Sequence, residues 1–200
     1  AILMDAIEIA KIAIMCYRSD DPTTWHNHLP LFLCSIQLIA IPMAAFTKGR
    51  IREASLDFVS VFGLLGAVLG TFGATQNYNA YPVMSFTNVV SGITHTISGF
   101  AALYIMISGL ASMKRKNIWI TFSILLTFCV AAYTANVLVE YNYMFLMAGD
   151  GTPYDILFNL VGGHPVLYPV CVVALFVVYV WAFYGVWHLV ENKKKQLAAV

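Results

Sequence analysis

The chain has 200 residues, of which 60% are hydrophobic and 10% are charged, against roughly 45–50% and about 25% in soluble proteins. This composition excludes a soluble-enzyme fold and indicates an integral membrane protein. The formal net charge of +1 also excludes a nucleic-acid binder that neutralises phosphates with surplus cationic side chains. We therefore expect membrane phospholipids as partners and no nucleic acid.

A helix needs roughly 20 apolar residues to cross about 30 Å of hydrocarbon, and six segments approach this length. They predict an all-α fold, with residues 1–200 forming one polytopic membrane bundle of six transmembrane helices. The segments are 2–18, 29–47, 54–75, 83–112, 118–140 and 165–190. The connection 141–164 is too polar to span and is predicted to fold over the bundle as an extracytoplasmic cap.

Basic residues predict the orientation of the bundle, because cytoplasmic loops are rich in Lys and Arg. Lys and Arg follow the second, fourth and sixth segments, whereas the other connections carry only Arg18 and are acidic. Both ends of this chain are therefore predicted to face the cytoplasm.

Two helices carry patterns of charged or small residues. Asp5, Glu8 and Lys11 in the first predict an internal ion pair, with a proton or ion path as the alternative. The same charges make a helix lying on the membrane surface the alternative to a first span. Glycines at spacings of three and four in the third predict close helix packing, with a groove for a lipid chain as the alternative. These glycines are Gly63, Gly66, Gly70 and Gly73.

Other polar residues inside the predicted spans are expected to face the bundle interior, because hydrocarbon offers them no hydrogen-bond partner. Spacings of three and four place them on single helix faces, and three such faces are predicted to converge. The residues are Asn88, Ser91 and His95 in the fourth helix, Tyr133, Asn136 and Glu140 in the fifth, and Cys34 and Gln37 in the second.

Cys34 and His95 are the residues from which chemistry is predicted. At about 1.5 Å per helical residue, Cys34 lies about 8 Å and His95 about 12–18 Å below the outer surface. A thiol that gives its proton to an imidazole can attack an ester and form a thioester. The alternative is a cysteine that packs as a small apolar residue and a histidine with a structural role.

Further polar residues are expected at the same outer rim, namely His26, His28, His164, Asn142 and Tyr143. Metal binding is the competing use of the histidines. His26 and His28 form only an H-x-H pair, which no carboxylate or further helical histidine completes. We therefore predict no metal site and no cofactor.

Short segments of the chain resemble a known family. Residues 28–34, read as HLPLFLC, resemble the LPLHLC segment of the YwaF-like integral membrane proteins, with Phe32 where that family usually has a histidine. Residues 91–95 resemble the family's histidine segment, 142–146 match its NYMFL signature, and 162–168 look like a degenerate form of its GPWPWY block. These blocks follow the family's order.

The YwaF-like family is similar to the eukaryotic transmembrane acyltransferase that remodels ether phospholipids through a cysteine. It is more distantly similar to the androgen-induced-type intramembrane lipid hydrolases. The resemblance implies a bacterial plasma membrane protein with Cys34 as the acyl-accepting nucleophile and His95 as the general base. Residues expected to bind substrate or orient these groups are His28, Gln37, Asn88, Ser91, Asn136, Glu140, Asn142, Tyr143 and His164.

The leading hypothesis is therefore a lipid acyltransferase or lipid hydrolase that works through Cys34 and His95. The alternative from another class is a small-solute transporter or ligand-binding membrane protein, whose polar interior includes Asn136 and Glu140. A structural subunit without a site of its own is a third possibility, since small residues on helix faces also serve partner packing.

Overall fold

The computed structural model describes residues 1–72 and 82–198. Within these ranges the chain forms α-helices and short 3-10 turns without any strand, which confirms the predicted all-α fold. The α-helices are α1 (Ile2–Arg18), α2 (Gln37–Phe46), α3 (Gly49–Phe72), α4 (Phe86–Ile107), α5 (Ile118–Val139), α6 (Asp155–Leu160) and α7 (Leu167–Ala198).

The prediction of six transmembrane helices is only partly confirmed by the structure. In the described part of the chain, four helices are long and apolar enough to cross a membrane: α3, α4, Arg115–Val139 and Leu167–Leu197. The apolar helix Leu33–Phe46 is about 20 Å long, short of the roughly 30 Å of hydrocarbon. It begins later than predicted because Pro30 favours an extended Leu29. Helix α1 has 17 residues and carries three charged side chains in its first eleven positions.

Helices α3 and α4 pack closely through small residues, as the glycine pattern predicts. A Cβ atom on Gly63 would lie 3.0 Å from the carbonyl oxygen of Ser98, and one on Gly99 would lie 2.6 Å from the Cβ of Ala67. The backbones can approach this closely only because the glycines have no side chain. Gly73 lies outside the described residues.

Helix α3 contains a π-helical segment at its centre. Its residues, Val59–Gly63, are all buried. The wider π turn disturbs the regular pairing of backbone carbonyls, and the hydroxyl of Tyr179 on α7 donates a hydrogen bond to the carbonyl of Val61 at 2.9 Å. This contact ties α7 to the middle of α3.

One end of the bundle is organised by Asp57, a fully buried residue of α3. Its carboxylate accepts hydrogen bonds from the backbone N–H groups of Ser112 and Met113, each at 2.9 Å. The hydroxyls of Ser112 and Tyr184 and the amide of Asn117 donate to it as well, at 3.0–3.4 Å. These five residues form the Asp57 network, which fixes the turn between α4 and α5 to α3.

The opposite end, called the capped end, is formed where residues 24–32 and 141–150 meet. Tyr143 is fully buried there. Its hydroxyl accepts a hydrogen bond from the N–H of Leu29 at 3.1 Å and donates one to the carbonyl of His26. The ring of Phe32 packs edge-on against Tyr143, with 5.2 Å between ring centroids. Two segments that are distant in the sequence are thereby joined.

Candidate functional site

Cys34 lies in the 3-10 turn Leu33–Ile36 that leads into α2. It is a half-buried free cysteine and packs against Gly66 of α3. A Cβ atom on Gly66 would lie 3.7 Å from the Cβ of Cys34. The turn that carries the thiol therefore lies directly against the backbone of α3.

His95 of α4 packs against the same helix one turn further along. A methyl group at Gly70 would occupy the space that the His95 ring fills. Gly66 and Gly70 share one face of α3 and are about 6 Å apart along its axis. Cys34 and His95 thus lie against adjacent turns, although no hydrogen bond joins them within the described residues.

A buried ion pair lies beside these two groups. Lys11 and Glu8 of α1 are in direct contact, with side chains that are 18% and 11% exposed, which confirms the predicted ion pair. The charges of Glu8 and Lys11 act on Cys34, on His95 and on His28. Helix α1 therefore adds one positive and one negative charge to the neighbourhood of the thiol and the imidazole.

Gln37, one turn after Cys34, is fully buried, and neither atom of its amide group has a hydrogen-bond partner among the described residues. One carboxylate oxygen of Asp5 and the hydroxyl of Ser98 are also buried without a partner there. A buried polar group without a partner costs about 1–3 kcal/mol. Such atoms are free to form a hydrogen bond with a further group.

An open cavity of about 680 Å³ lies at the capped end. Its walls are the end of α1, the 3-10 turn Thr24–His28, the start of α4 and Tyr141. Its polar lining includes Arg18, Ser19, Thr24, Asn27, His28 and Thr87. Burial lowers the pKa of His28, and Lys11 lowers it further while Glu8 opposes the change, so His28 is neutral at pH 7. This cavity is called the Arg18 cleft below.

A smaller cavity of about 350 Å³ lies between α3 and α4. It is called the α3–α4 groove and is lined by Thr71, Val89, Gly92, Ile93, Thr96 and Ile97. Gly92 and Thr96 flank His95 in the sequence and are exposed. The groove therefore offers a mostly apolar surface next to the helix segment that carries the imidazole.

The sequence profile of the TMEM164 family matches residues 1–185, which include the whole of this site. The chain belongs to the TMEM164 family. No curated protein and no solved structure matches it. Family membership and the four long apolar helices together establish an integral membrane protein.

Three predicted binding residues of this TMEM164-family chain are engaged in the cap. The amide of Asn136 donates to the carbonyl of Tyr143 at 3.0 Å and accepts from its N–H at 2.6 Å. The side-chain oxygen of Asn142 accepts from the N–H of Met147 at 2.9 Å. Burial raises the pKa of Tyr143 to about 12. The polar atoms of these residues are therefore engaged in hydrogen bonds within the capped end.

Other predicted residues lie at helix ends. The amide of Asn88 donates to the carbonyl of Pro82 at 3.0 Å, near the start of α4. The ring of His164 accepts a hydrogen bond from the N–H of Leu167 at 3.2 Å, at the start of α7.

Glu140 is exposed and follows α5 in a left-handed conformation with a φ of 52°. Ser91 is half-buried on α4, one turn before His95.

Sequence reasoning used Arg18 of this TMEM164-family protein only to predict the orientation of the bundle, and did not predict its place in the wall of a cavity. It also missed Asp57, the single carboxylate inside the predicted span 54–75. The only sequence signal for Asp57 was that an ionisable residue inside a span is rare and demands a partner.

Proposed function

We propose that this protein is a membrane lipid acyltransferase or lipid hydrolase in which Cys34 is the nucleophile and His95 is the general base. One observation carries the proposal. Residues from two different helices, a thiol and an imidazole, lie against adjacent turns on one face of α3 at Gly66 and Gly70. The resemblance of residues 28–34 and 91–95 to the YwaF-like proteins, and through them to a cysteine-dependent acyltransferase, supports the same pair.

The reaction has two steps. In the first, the thiol of Cys34 gives its proton to His95, and the sulfur attacks the carbonyl carbon of a phospholipid ester. The bond between that carbon and the glycerol oxygen breaks, the oxygen takes the proton from His95, and a lysophospholipid leaves. The acyl group remains on Cys34 as a thioester. In the second step, an acceptor hydroxyl or water gives its proton to His95 and attacks the thioester carbonyl. The bond between carbon and sulfur breaks, the sulfur takes the proton back from His95, and the new ester or the fatty acid leaves.

Each step forms an oxyanion that requires a hydrogen-bond donor. Gln37 is suited to this role because its amide nitrogen is buried, lies one turn from Cys34 and has no partner within the described residues. The ammonium group of Lys11 adds positive charge in the same region. Asn142 and Tyr143 are less suited, since their polar atoms are used in the cap.

The substrate needs a path from the lipid phase to the thiol. The α3–α4 groove supports lateral entry, because its lining is mostly apolar and it adjoins His95 on α4. An acyl chain in this groove would remain in an apolar environment while its ester reached the polar interior.

The test is to trap the thioester. The full chain, purified in detergent, is incubated with a phospholipid whose acyl chains carry an alkyne, and hydroxylamine-sensitive label is located by mass spectrometry. We expect label on Cys34 in the parent protein and about 100-fold slower labelling in His95→Gln, since general bases contribute at least this factor. Cys16→Ala, which removes another half-buried cysteine, is the control and should label normally. Equal labelling of Cys34→Ala would remove the proposal.

The transporter alternative receives less support from the described contacts. It relied on Asn136 and Glu140 facing a polar interior, but Asn136 is bonded to Tyr143 and Glu140 is exposed. Solute binding that survives Cys34→Ala and fails in Glu140→Gln would favour it over the enzyme.

A further inference from the structure

Arg18 brings an uncompensated positive charge to the Arg18 cleft. Within the described residues no carboxylate forms an ion pair with it. Its guanidinium lies over the ring of Phe86, 5.7 Å from the ring centroid, and this cation–π contact holds it at the cleft wall. The neighbouring carboxylate of Asp21 is occupied by the N–H and hydroxyl of Thr23, at 2.8 and 2.7 Å.

The other polar groups of the cleft are neutral. Hydroxyl and amide groups come from Thr24, Asn27 and Thr87, and His28 is neutral at pH 7 because burial lowers its pKa. None of the described residues that line the cleft is acidic. A guanidinium surrounded by neutral donors, without a carboxylate, is suited to a phosphate, which binds the planar fork of arginine through paired hydrogen bonds.

The cleft is lined by parts of α1 and α4 that lie about two turns from the residues beside the thiol and the imidazole. Along α1, Arg18 is about 10 Å from Lys11, and along α4, Thr87 is about 12 Å from His95. His28 connects the two regions, because it lines the cleft and experiences the same Glu8 and Lys11 charges as His95. A phospholipid with its phosphate in the cleft would extend its glycerol esters toward this pair.

We propose that the Arg18 cleft binds the phosphate of a phospholipid headgroup, with Arg18 as the charged ligand and Asn27 and His28 as hydrogen-bond donors. The choice of a phospholipid as the source of the phosphate rests on the proposed function. Phosphate binding itself requires no chemistry at Cys34 and can be measured without turnover.

The test uses native mass spectrometry of the full-length Cys34→Ala protein in detergent. It is titrated separately with dioctanoyl phosphatidylcholine, with dioctanoylglycerol, which lacks the phosphate, and with inorganic phosphate. Arg18→Gln should weaken phosphatidylcholine retention about tenfold, the loss expected for a charged hydrogen bond, and leave dioctanoylglycerol retention unchanged. Arg18→Lys keeps the positive charge but loses the paired N–H groups of the guanidinium. Its retention of phosphatidylcholine should lie between that of the parent protein and that of Arg18→Gln. Arg52→Gln, at an exposed arginine near the start of α3, is the matched control and should bind normally.

Equal phosphatidylcholine retention with and without Arg18 would overturn the proposal. A loss of the same size for dioctanoylglycerol would also overturn it, since the phosphate would then not be the group recognised. Arg18-dependent binding of inorganic phosphate without binding of the phospholipid would overturn the assignment to a lipid headgroup. Arg18-dependent phospholipid binding in a protein that forms no thioester would uphold the cleft and remove the proposed acyl transfer.

Discussion

Two polar clusters inside the helical bundle differ in how their hydrogen bonds are satisfied. In the Asp57 network, one buried carboxylate accepts from two backbone N–H groups and from three side chains. One turn after Cys34, the buried amide of Gln37 has no hydrogen-bond partner within the described residues. The hydrogen bonds of the first cluster, the Asp57 network, are nearly all satisfied, whereas those of the second are not. The second is called the open cluster below.

The difference separates a structural role from a binding role. Hydrogen bonds within a saturated network hold helices together and leave few atoms for a ligand. Within the described residues, the side-chain oxygen of Asn117 is the one buried atom of the Asp57 network that lacks a partner. The cluster beside Cys34 has unpaired donors and acceptors, and it is also next to a nucleophile and a base. Mutations in the two clusters should therefore affect different properties.

The largest expected effect is on stability at the Asp57 network. Asp57→Ala leaves the buried N–H groups of Ser112 and Met113 without an acceptor and should lower the free energy of unfolding by about 3 kcal/mol. The measurement is unfolding by denaturing detergent, followed by circular dichroism. Lys114→Ala is the control, since its ion pair with Glu53 is partly exposed and is worth at most about 1 kcal/mol. If the free energy of unfolding fell equally in the two variants, the Asp57 network would not have the proposed structural role.

The next effect tests the open cluster. Gly70→Ala places a methyl group where the His95 ring lies, so the ring must move, and thioester formation should slow about 100-fold, as expected when a general base is displaced. Gly185→Ala on α7 is the control, because a Cβ there would also meet nothing within 4 Å. Unchanged thioester formation in a folded Gly70→Ala protein would contradict the role of His95 as the base.

Helix boundaries and contacts within a single helix could be predicted from local sequence patterns. Glu8 and Lys11 are three residues apart on one helix, so their ion pair follows from helix geometry alone. Helix α5 begins at Ile118 as predicted and ends at Val139, one residue before the predicted end. In both cases the contact or boundary depends on residues that are close in the sequence.

Contacts between distant segments were not predictable in the same way. The partners of Asp57 come from the turn after α4, and helical spacing does not encode such a tertiary contact. The depth assigned to Cys34 assumed a continuous helix from Leu29, but helical structure begins only at Leu33. The glycine pattern predicted that a neighbour would pack against α3, although it did not identify Cys34 and His95 as those neighbours.

The smallest expected effect tests the capped end. Tyr143→Phe leaves the N–H of Leu29 and the carbonyl of His26 without their partner and should lower the free energy of unfolding by about 1–2 kcal/mol. Tyr17→Phe, at a residue that is 91% exposed, is the control and should change nothing measurable.

The pH dependence of the free energy of unfolding provides a second test of Tyr143. Burial raises the pKa of Tyr143 from 10.0 to about 12, so the folded protein keeps a proton that the unfolded chain loses. Its contribution to stability is therefore complete below about pH 10 and is lost as the pH rises to about 12. The decline in this window should be shallower in Tyr143→Phe than in Tyr17→Phe. Equally steep declines would assign the alkaline sensitivity to other tyrosines, such as the half-buried Tyr154, whose pKa burial also raises. Tyr143 would then have no special role in stability.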